Sequence, residues 1–145
     1  DAPLRVAGQA TTALEVFAQF AAHDTGTAPD ALVMPVSSGG HASGAWQAVR
    51  TLTAAGIIDE APRLYFVQAA ACAPIAEAFA RGDEDVTSVE GGETVAYSIA
   101  NANPPSGNRA LAAARATGGA VCAVDDELKE LFGAPADTPA LTQTQ

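Results

Sequence analysis

The sequence predicts an α/β fold with three layers, in which a mostly parallel sheet carries helices on both faces. Three short apolar segments, starting at Ala31, Arg63 and Ala120, are typical of buried strands. Segments with helical periodicity separate them, as crossover connections between parallel strands require. Right-handed crossovers bring the loops after the strands to one edge of the sheet, where such folds bind ligands.

Length and composition indicate a single α/β domain over residues 1–132, followed by a flexible tail. The chain has 145 residues, of which 48% are hydrophobic, so it can bury one sizeable core. Only 6% of the residues are aromatic, and we expect small side chains to fill much of that core. Residues 133–145 are rich in Pro, Thr and Gln, a composition typical of poorly ordered tails.

The first helix is predicted over Thr11–Ala22, after an extended lead-in over Asp1–Gln9. Its apolar side chains recur with helical spacing, which predicts one buried face. The residues of this face are Ala13, Val16, Phe17 and Phe20. His23 follows directly and is interpreted as a polar residue at the helix C-terminus rather than as a catalytic group.

The central unit is a strand over Ala31–Val36, a turn over Ser37–His41 and a helix from Ala42 to Leu52. The strand is almost wholly apolar, which suits a parallel strand covered on both faces. Pro35 cannot donate to a ladder and is expected at the strand end. The helix carries an apolar stripe that includes Trp46 and Val49.

The turn Ser37-Ser38-Gly39-Gly40-His41 has the composition of an anion-binding loop. Its glycines permit unusual backbone conformations, and the first amides of a helix point outward without intrahelical partners. Such a junction suits phosphate, with the two serine hydroxyls as extra donors. The alternative is a plain connection between strand and helix. Neither the dinucleotide fingerprint nor the lysine-bearing nucleotide loop is present.

The second half of the chain alternates helices and strands in the same way. A strand over Arg63–Ala69 leads to a helix that starts at Pro74, ends at Gly82 and faces inward with Ile75, Ala78 and Phe79. Further elements are then predicted in chain order. They are a helix over Glu93–Ala100, an irregular segment over Asn101–Gly107, a helix over Asn108–Thr117, a strand over Ala120–Val124 and a helix over Asp125–Leu131.

The acidic composition excludes several kinds of partner. The formal net charge of −10 argues against nucleic acid and against an anionic membrane surface, and is also typical of adaptation to high salt. No apolar segment is long enough to span a bilayer, so the expected location is cytoplasmic. Cys72 and Cys122 lack the spacing of metal ligands and are expected to be buried free thiols.

Five blocks of the sequence occur in an order that resembles one enzyme family. The blocks are PLRVAGQATTALEV, ALVMPVSSGGHASGAWQAV, RLYFVQAAACAPIAEAF, ETVAYSIANANPPSGNRAL and GGAVCAVDDEL. They resemble threonine synthase, a pyridoxal 5′-phosphate enzyme of the tryptophan-synthase-β-like, fold type II family. The resemblance covers roughly Pro3–Leu131 and implies that the chain is the later part of a larger enzyme.

The resemblance implies a pyridoxal 5′-phosphate site in the turn after the first strand. In the family this turn is typically Gly-Asn-Gly-Gly-Asn, and its backbone amides hold the cofactor phosphate. The cofactor contacts implied by position are Ser37, Ser38, Gly39, Gly40 and His41. The segment ETVAYS resembles the stretch beside the pyridine ring, which makes Ser98 a candidate ring contact; plain packing at the sheet edge is the alternative.

The implied reaction replaces the phosphate of O-phosphohomoserine by water to give threonine, so the implied substrate is a small phosphorylated amino acid. Family members bind the cofactor covalently through a lysine near the start of the chain, and a serine or threonine near the end contacts the pyridine nitrogen. Neither segment is visible here, and Lys129, the one lysine, lies in no such motif. We therefore expect a fragment with no catalytic residue, inactive without the remainder of the enzyme chain.

Two other functions remain open from the sequence. A fragment of a lyase similar to threonine dehydratase is one, although that family usually carries Asp-Gly where this chain has Tyr97-Ser98. The other is a non-catalytic α/β module that binds a phosphorylated metabolite or a protein partner. An upstream segment with the lysine would separate the enzyme fragments from the module. The resemblance also allows a homodimer.

Overall fold

In residues 2–23 and 28–126, which the computed structural model describes, the chain forms four α-helices and three β-strands. In chain order these elements are α1 Pro3–Ala22, β1 Ala31–Pro35, α2 Gly40–Ala54, β2 Arg63–Ala69, α3 Pro74–Arg81, α4 Gly107–Ala116 and β3 Ala120–Val124. Two short 3₁₀ turns, Ala70–Cys72 and Tyr97–Ile99, lie in the connections.

The three strands form one parallel sheet in the order β1-β2-β3. The register aligns Pro35 of β1 with Val67 of β2, and Ala69 of β2 with Val124 of β3, so the carboxyl ends of all three strands meet at one edge. The predicted α/β class with a parallel sheet is confirmed. The bounds of β2 and β3 are those predicted, and β1 ends one residue early, at the predicted position of its proline.

The two faces of the sheet are unequally covered. Leu64 and Phe66 of β2 are fully buried in a core cluster that also contains residues of all four helices, while Val33 on the other face of β1 is 70% exposed. The prediction that β1 is covered on both faces is therefore wrong for the described residues. Cys122 is also exposed, against the prediction, whereas Cys72 is buried as predicted.

Helix α1 begins at Pro3, so the predicted extended lead-in over residues 1–9 is wrong for the residues described. Proline fits the first turn of a helix because the amide it lacks has no intrahelical partner there. The buried stripe of α1 starts with this early turn and consists of Val6, Ala10, Ala13 and Phe17. Val16, predicted to face inward, is 38% exposed.

Close packing of α1 on α2 requires a glycine at the contact. A side chain at Gly44 of α2 would place its Cβ 2.8 Å from the carbonyl oxygen of Val6 and 2.9 Å from the amide nitrogen of Ala10. Helices that approach this closely bury small side chains well, which suits a core rich in alanine. The helix pair fixes the start of α2, where the predicted site lies.

The predicted helix over Glu93–Ala100 is wrong, because only the single 3₁₀ turn Tyr97–Ile99 forms there. Helices α3 and α4 match their predictions to within one residue, and Gly82 ends α3 in the left-handed conformation, with φ of 77°. The predicted helix over 125–131, Lys129 and the tail over 133–145 lie wholly or largely outside the described residues.

Arg81 neutralises part of the acidic charge around the end of α3. Arg81 pairs with Asp83 at 2.7 Å and with Glu77 at 3.1 Å, and the hydrogen bonds to Asp83 and then Glu77 raise the pKa of its guanidinium. In the described part of the chain, no helix is long and apolar enough to span a membrane, and no cluster of side chains could hold a metal ion.

Because 17 acidic residues face seven basic ones, we expect salt to stabilise the fold by screening repulsion between carboxylates. Raising sodium chloride from about 0.1 M to about 2 M should raise Tm by roughly 5 °C or more in a calorimetric scan. Sucrose is the control, since it stabilises compact states without screening charge. An equal gain in sucrose, or a lower Tm in salt, would contradict this expectation.

Candidate anion site at the carboxyl edge of the sheet

The turn predicted to bind phosphate lies directly after β1, at the edge where the three strands end. Val36, the residue after the strand, is buried, and its N–H donates to the carbonyl oxygen of Val67 at 2.9 Å. This bond fixes the direction in which the chain leaves the sheet. Ser37, Ser38 and Gly39 then lead straight into α2, which begins at Gly40. Gly40 and His41, predicted as part of the turn, are the first two residues of the helix.

Gly39 gives the turn its shape. It is the N-cap residue of α2 and has φ of 85° in the left-handed region, which disfavours residues with a side chain. No side chain caps α2, although Ser38 Oγ accepts a long hydrogen bond, 3.3 Å, from Gly40 N. Ser37, Ser38 and His41 are half-buried. The turn thus combines a helix start without a side-chain cap with two accessible hydroxyls and an imidazole.

The start of α4 supports the turn from behind. Ser106 N donates to the carbonyl oxygen of Ser38 at 2.8 Å, and a Cβ at Gly39 would overlap the carbonyl oxygen of Ser106. Ser106 is itself buried and precedes Gly107, the first residue of α4. The N-termini of α2 and α4 therefore meet, and their partial positive charges add to favour an anion at this point.

The start of α3 lies at the same edge, but two amides of its first turn already have a hydrogen-bond acceptor within the protein. Gln68 Oε1 accepts hydrogen bonds from Ile75 N at 2.9 Å and from Ala76 N at 3.0 Å. Gln68 is fully buried, so this side chain satisfies two amides of the first turn of α3 from within the protein. A ligand consequently has better access to the amides of α2 than to those of α3.

A long connection crosses the strand ends between α3 and α4. We call residues 83–106 the edge loop. Its Gly92 N donates to the carbonyl oxygen of Ala71, just after β2, at 2.7 Å. Its Val95 N donates to Asp126 Oδ2, just after β3, at 2.9 Å, and Ser106 reaches the turn after β1. Loops of this length in compact domains are commonly functional.

The structure places five of the six predicted cofactor contacts, residues 37–41, together at the junction of β1 and α2. Ser98 lies separately in the 3₁₀ turn of the edge loop, where it is exposed, and its role as a ring contact stays a prediction. The sequence reasoning missed two groups. Ser106 could have been found, because serine directly before a helix is a common N-cap residue. Asp126 and its loop partner Thr94 are 32 residues apart, and no local pattern links them.

The donors present fit a phosphate group. Backbone amides at a helix N-terminus, hydroxyls and an imidazole are all suitable donors to phosphate oxygens, and a carboxylate is absent from residues 36–42. The described residues contain no lysine, so they offer donors suited to a phosphate but no lysine amine for a covalent bond to a carbonyl ligand.

The fold and the turn define an α/β protein with a parallel sheet whose carboxyl edge carries a helix start suited to a phosphate ligand. Residues 1–128 match the family model described as pyridoxal-phosphate dependent enzyme. The chain therefore belongs to this family, whose members depend on pyridoxal phosphate.

Within this family, the chain is similar to curated threonine synthases. Threonine synthase from Methanocaldococcus jannaschii is 35% identical over 125 residues, which are 86% of this chain and 30% of that protein. Threonine synthase from Methanosarcina acetivorans is 33% identical over 96% of this chain and 33% of its own length. The chain thus resembles threonine synthases but spans only about a third of the length of these relatives.

Solved structures show the same fold. A threonine deaminase from T.th. superposes with a TM-score of 0.69 at 25% identity, over 90% of this chain and 44% of that one. Maize serine racemase gives a TM-score of 0.65 at 18% identity, over 92% and 39% of the two chains. The fold is that of the fold type II pyridoxal phosphate enzymes.

Proposed function

We propose that this chain provides the cofactor-phosphate site of an enzyme of the threonine synthase type. The observation that carries the proposal is the glycine turn at the start of α2, held in shape by the left-handed Gly39 and by Ser106. Membership of a family that depends on pyridoxal phosphate supplies the identity of the ligand.

The residues of the turn have separate tasks in this proposal. The amides that open α2 donate to the phosphate oxygens, and the partial positive charges of α2 and α4 offset the phosphate charge. Ser37 and Ser38 add hydroxyl donors, and His41 adds an imidazole in the first turn of the helix. Ser98 contacts the pyridine ring. When bound, the cofactor supplies the electron-withdrawing ring on which the reaction depends.

The reaction proposed for the whole enzyme is the conversion of O-phosphohomoserine and water to threonine and phosphate. This chain contributes binding and orientation, while the lysine that holds the cofactor belongs to the remainder of the enzyme chain. We propose that remainder as a partner, and a small phosphorylated amino acid as substrate, in a cytoplasmic enzyme that forms a homodimer. Alone, the chain should bind cofactor without turning substrate over.

The proposal is tested by comparing pyridoxal 5′-phosphate with pyridoxal, which lacks the phosphate, in calorimetric titrations of the chain. We expect the phosphorylated form to bind at least ~10-fold more tightly, since charge-assisted hydrogen bonds contribute about 1.5–3 kcal/mol each. Equal affinity for the two compounds would contradict the proposed phosphate site.

Two alternatives have their own support. Similarity to a threonine deaminase at 25% identity keeps a lyase of the dehydratase type open, and substrate turnover by the complete enzyme separates the two reactions. A non-catalytic module is consistent with the absence of lysine from the described residues, as is the enzyme fragment. It predicts tight binding of a phosphorylated metabolite other than the cofactor, which a competition titration measures.

A further inference from the structure

The carboxylate of Asp126 holds the middle of the edge loop. Thr94 Oγ1 donates to Asp126 Oδ1 at 2.8 Å, and Val95 N donates to Asp126 Oδ2 at 2.9 Å. Thr94 Oγ1 also accepts from Ala96 N at 3.1 Å. Both carboxylate oxygens thus bind the loop, and the Thr94 hydroxyl extends this contact to the start of the 3₁₀ turn.

These bonds are strong relative to the other constraints on this part of the loop. Hydrogen bonds to an ionised carboxylate are shorter and roughly twice as strong as neutral ones. Thr94 and Asp126 are half-buried, so water competes less than at an open surface. The 93–100 segment contains only a three-residue 3₁₀ turn, and Val95 and Tyr97 are exposed, so burial contributes little to its order.

The held segment borders a cavity at the ligand-binding edge of the sheet. The cavity has a volume of about 620 Å³ and is lined by Gly92, Thr94, Val95, Tyr97 and Asp126 among others. The same loop continues to Ser106, which bonds the turn proposed to hold phosphate. The edge loop therefore connects the turn proposed to hold phosphate with a cavity beside Asp126, which follows the end of β3.

We propose that Asp126 is a positioning residue that holds segment 93–100 against the part of the cofactor beyond its phosphate. This inference rests on the proposed function and adds that two segments of the chain bind different parts of the cofactor. The turn at residues 37–41 recognises phosphate, while the segment held by Asp126 recognises the remainder of the ligand. Loss of the carboxylate should then weaken binding of the whole cofactor and leave binding of inorganic phosphate unchanged.

The test uses two variants with matched controls. Asp126→Asn removes the charge, and Asp125→Asn makes the same charge change at the exposed neighbouring residue. Thr94→Val removes the loop hydroxyl, and Thr94→Ser keeps it. Hydrogen exchange of the peptide covering residues 93–100 in the unliganded chain reports the order of the segment. Titrations with pyridoxal 5′-phosphate and with inorganic phosphate report binding.

We expect exchange of segment 93–100 to be about 10-fold faster in Asp126→Asn and Thr94→Val, with both controls like the wild type. Affinity for pyridoxal 5′-phosphate should fall about 5- to 10-fold in those two variants, at unchanged affinity for inorganic phosphate.

Unchanged exchange, or a loss shared by Asp125→Asn and Thr94→Ser, would overturn the positioning role. An equal loss of affinity for pyridoxal 5′-phosphate and for inorganic phosphate would overturn the claim that the two segments bind different parts of the cofactor. A wild-type chain that binds neither ligand contradicts the proposed function instead, and the exchange comparison still decides whether Asp126 holds the segment.

Discussion

Replacing Gly39 with aspartate is expected to abolish phosphate binding by this chain. The new side chain would stand at a left-handed position, with φ of 85°, and its Cβ would overlap the carbonyl oxygen of Ser106. Relief of this overlap would displace the amides that open α2, and the added negative charge close to the helix start would repel a phosphate. Titration with inorganic phosphate measures the loss, and unchanged affinity in a folded variant would contradict the assignment of residues 37–41.

A second variant separates charge from folding, since the overlap at Gly39 also disturbs the contact between α2 and α4. His41→Glu adds a negative charge in the first turn of α2, where carboxylates stabilise a helix. We expect an unchanged or higher Tm together with phosphate affinity at least ~5-fold weaker, because like charges a few ångströms apart repel by about 1 kcal/mol even in water.

The control for His41→Glu is Gln47→Glu, which makes an equal change in charge on the exposed side of the same helix. Its affinity for inorganic phosphate should match that of the wild type. If both variants lost affinity equally, the net charge of the chain and not the turn would govern binding.

The largest expected effect on stability comes from Gly119→Ala. Gly119 lies between α4 and β3, and a Cβ there would overlap the backbone carbonyl oxygen of Leu64 in β2. Thr117 Oγ1 accepts a hydrogen bond from Leu64 N at 3.0 Å beside it, so the same junction also aligns β3 with β2. Because backbone atoms would have to move, we expect a cost of about 3 kcal/mol and a Tm lower by roughly 10 °C.

Gly118→Ala is the matched control, one residue away. Gly118 has φ of 65° with open space around its Cβ position, so alanine there meets conformational strain of about 1 kcal/mol but no overlap. Chemical denaturation of both variants measures the difference in unfolding free energy. A loss at Gly118 equal to that at Gly119 would mean that close packing against Leu64 is not what requires glycine.

The parts of the fold set by local sequence were predicted well. The sequence predicts the strands over Arg63–Ala69 and Ala120–Val124 to the residue, because each is a short, mostly apolar segment that starts directly after a breaker, Pro62 or Gly119. The turn Ser37–His41 was found because serine, glycine and a following helical stripe lie next to each other in the chain.

The parts set by distant contacts were not predictable from local pattern. Segment 93–100 has a weak helical pattern, yet Thr94 and Val95 bond Asp126, about thirty residues further on. The support that Ser106 gives to Ser38 likewise joins residues far apart in sequence. At the N-terminus a local preference explains the difference instead. Proline is well suited to the first turn of a helix, and α1 begins at Pro3, where the pattern predicts an extended lead-in.

The measurement that tests the phosphate site most directly is an NMR titration of the backbone amides with inorganic phosphate. Direct donation to phosphate oxygens predicts the largest shift changes at Gly39, Gly40 and His41, saturating together with one dissociation constant. Smaller changes should appear at Ser106 and Gly107, which support the turn from the start of α4. Saturating changes confined to another part of the chain, with residues 37–41 unmoved, would contradict the account.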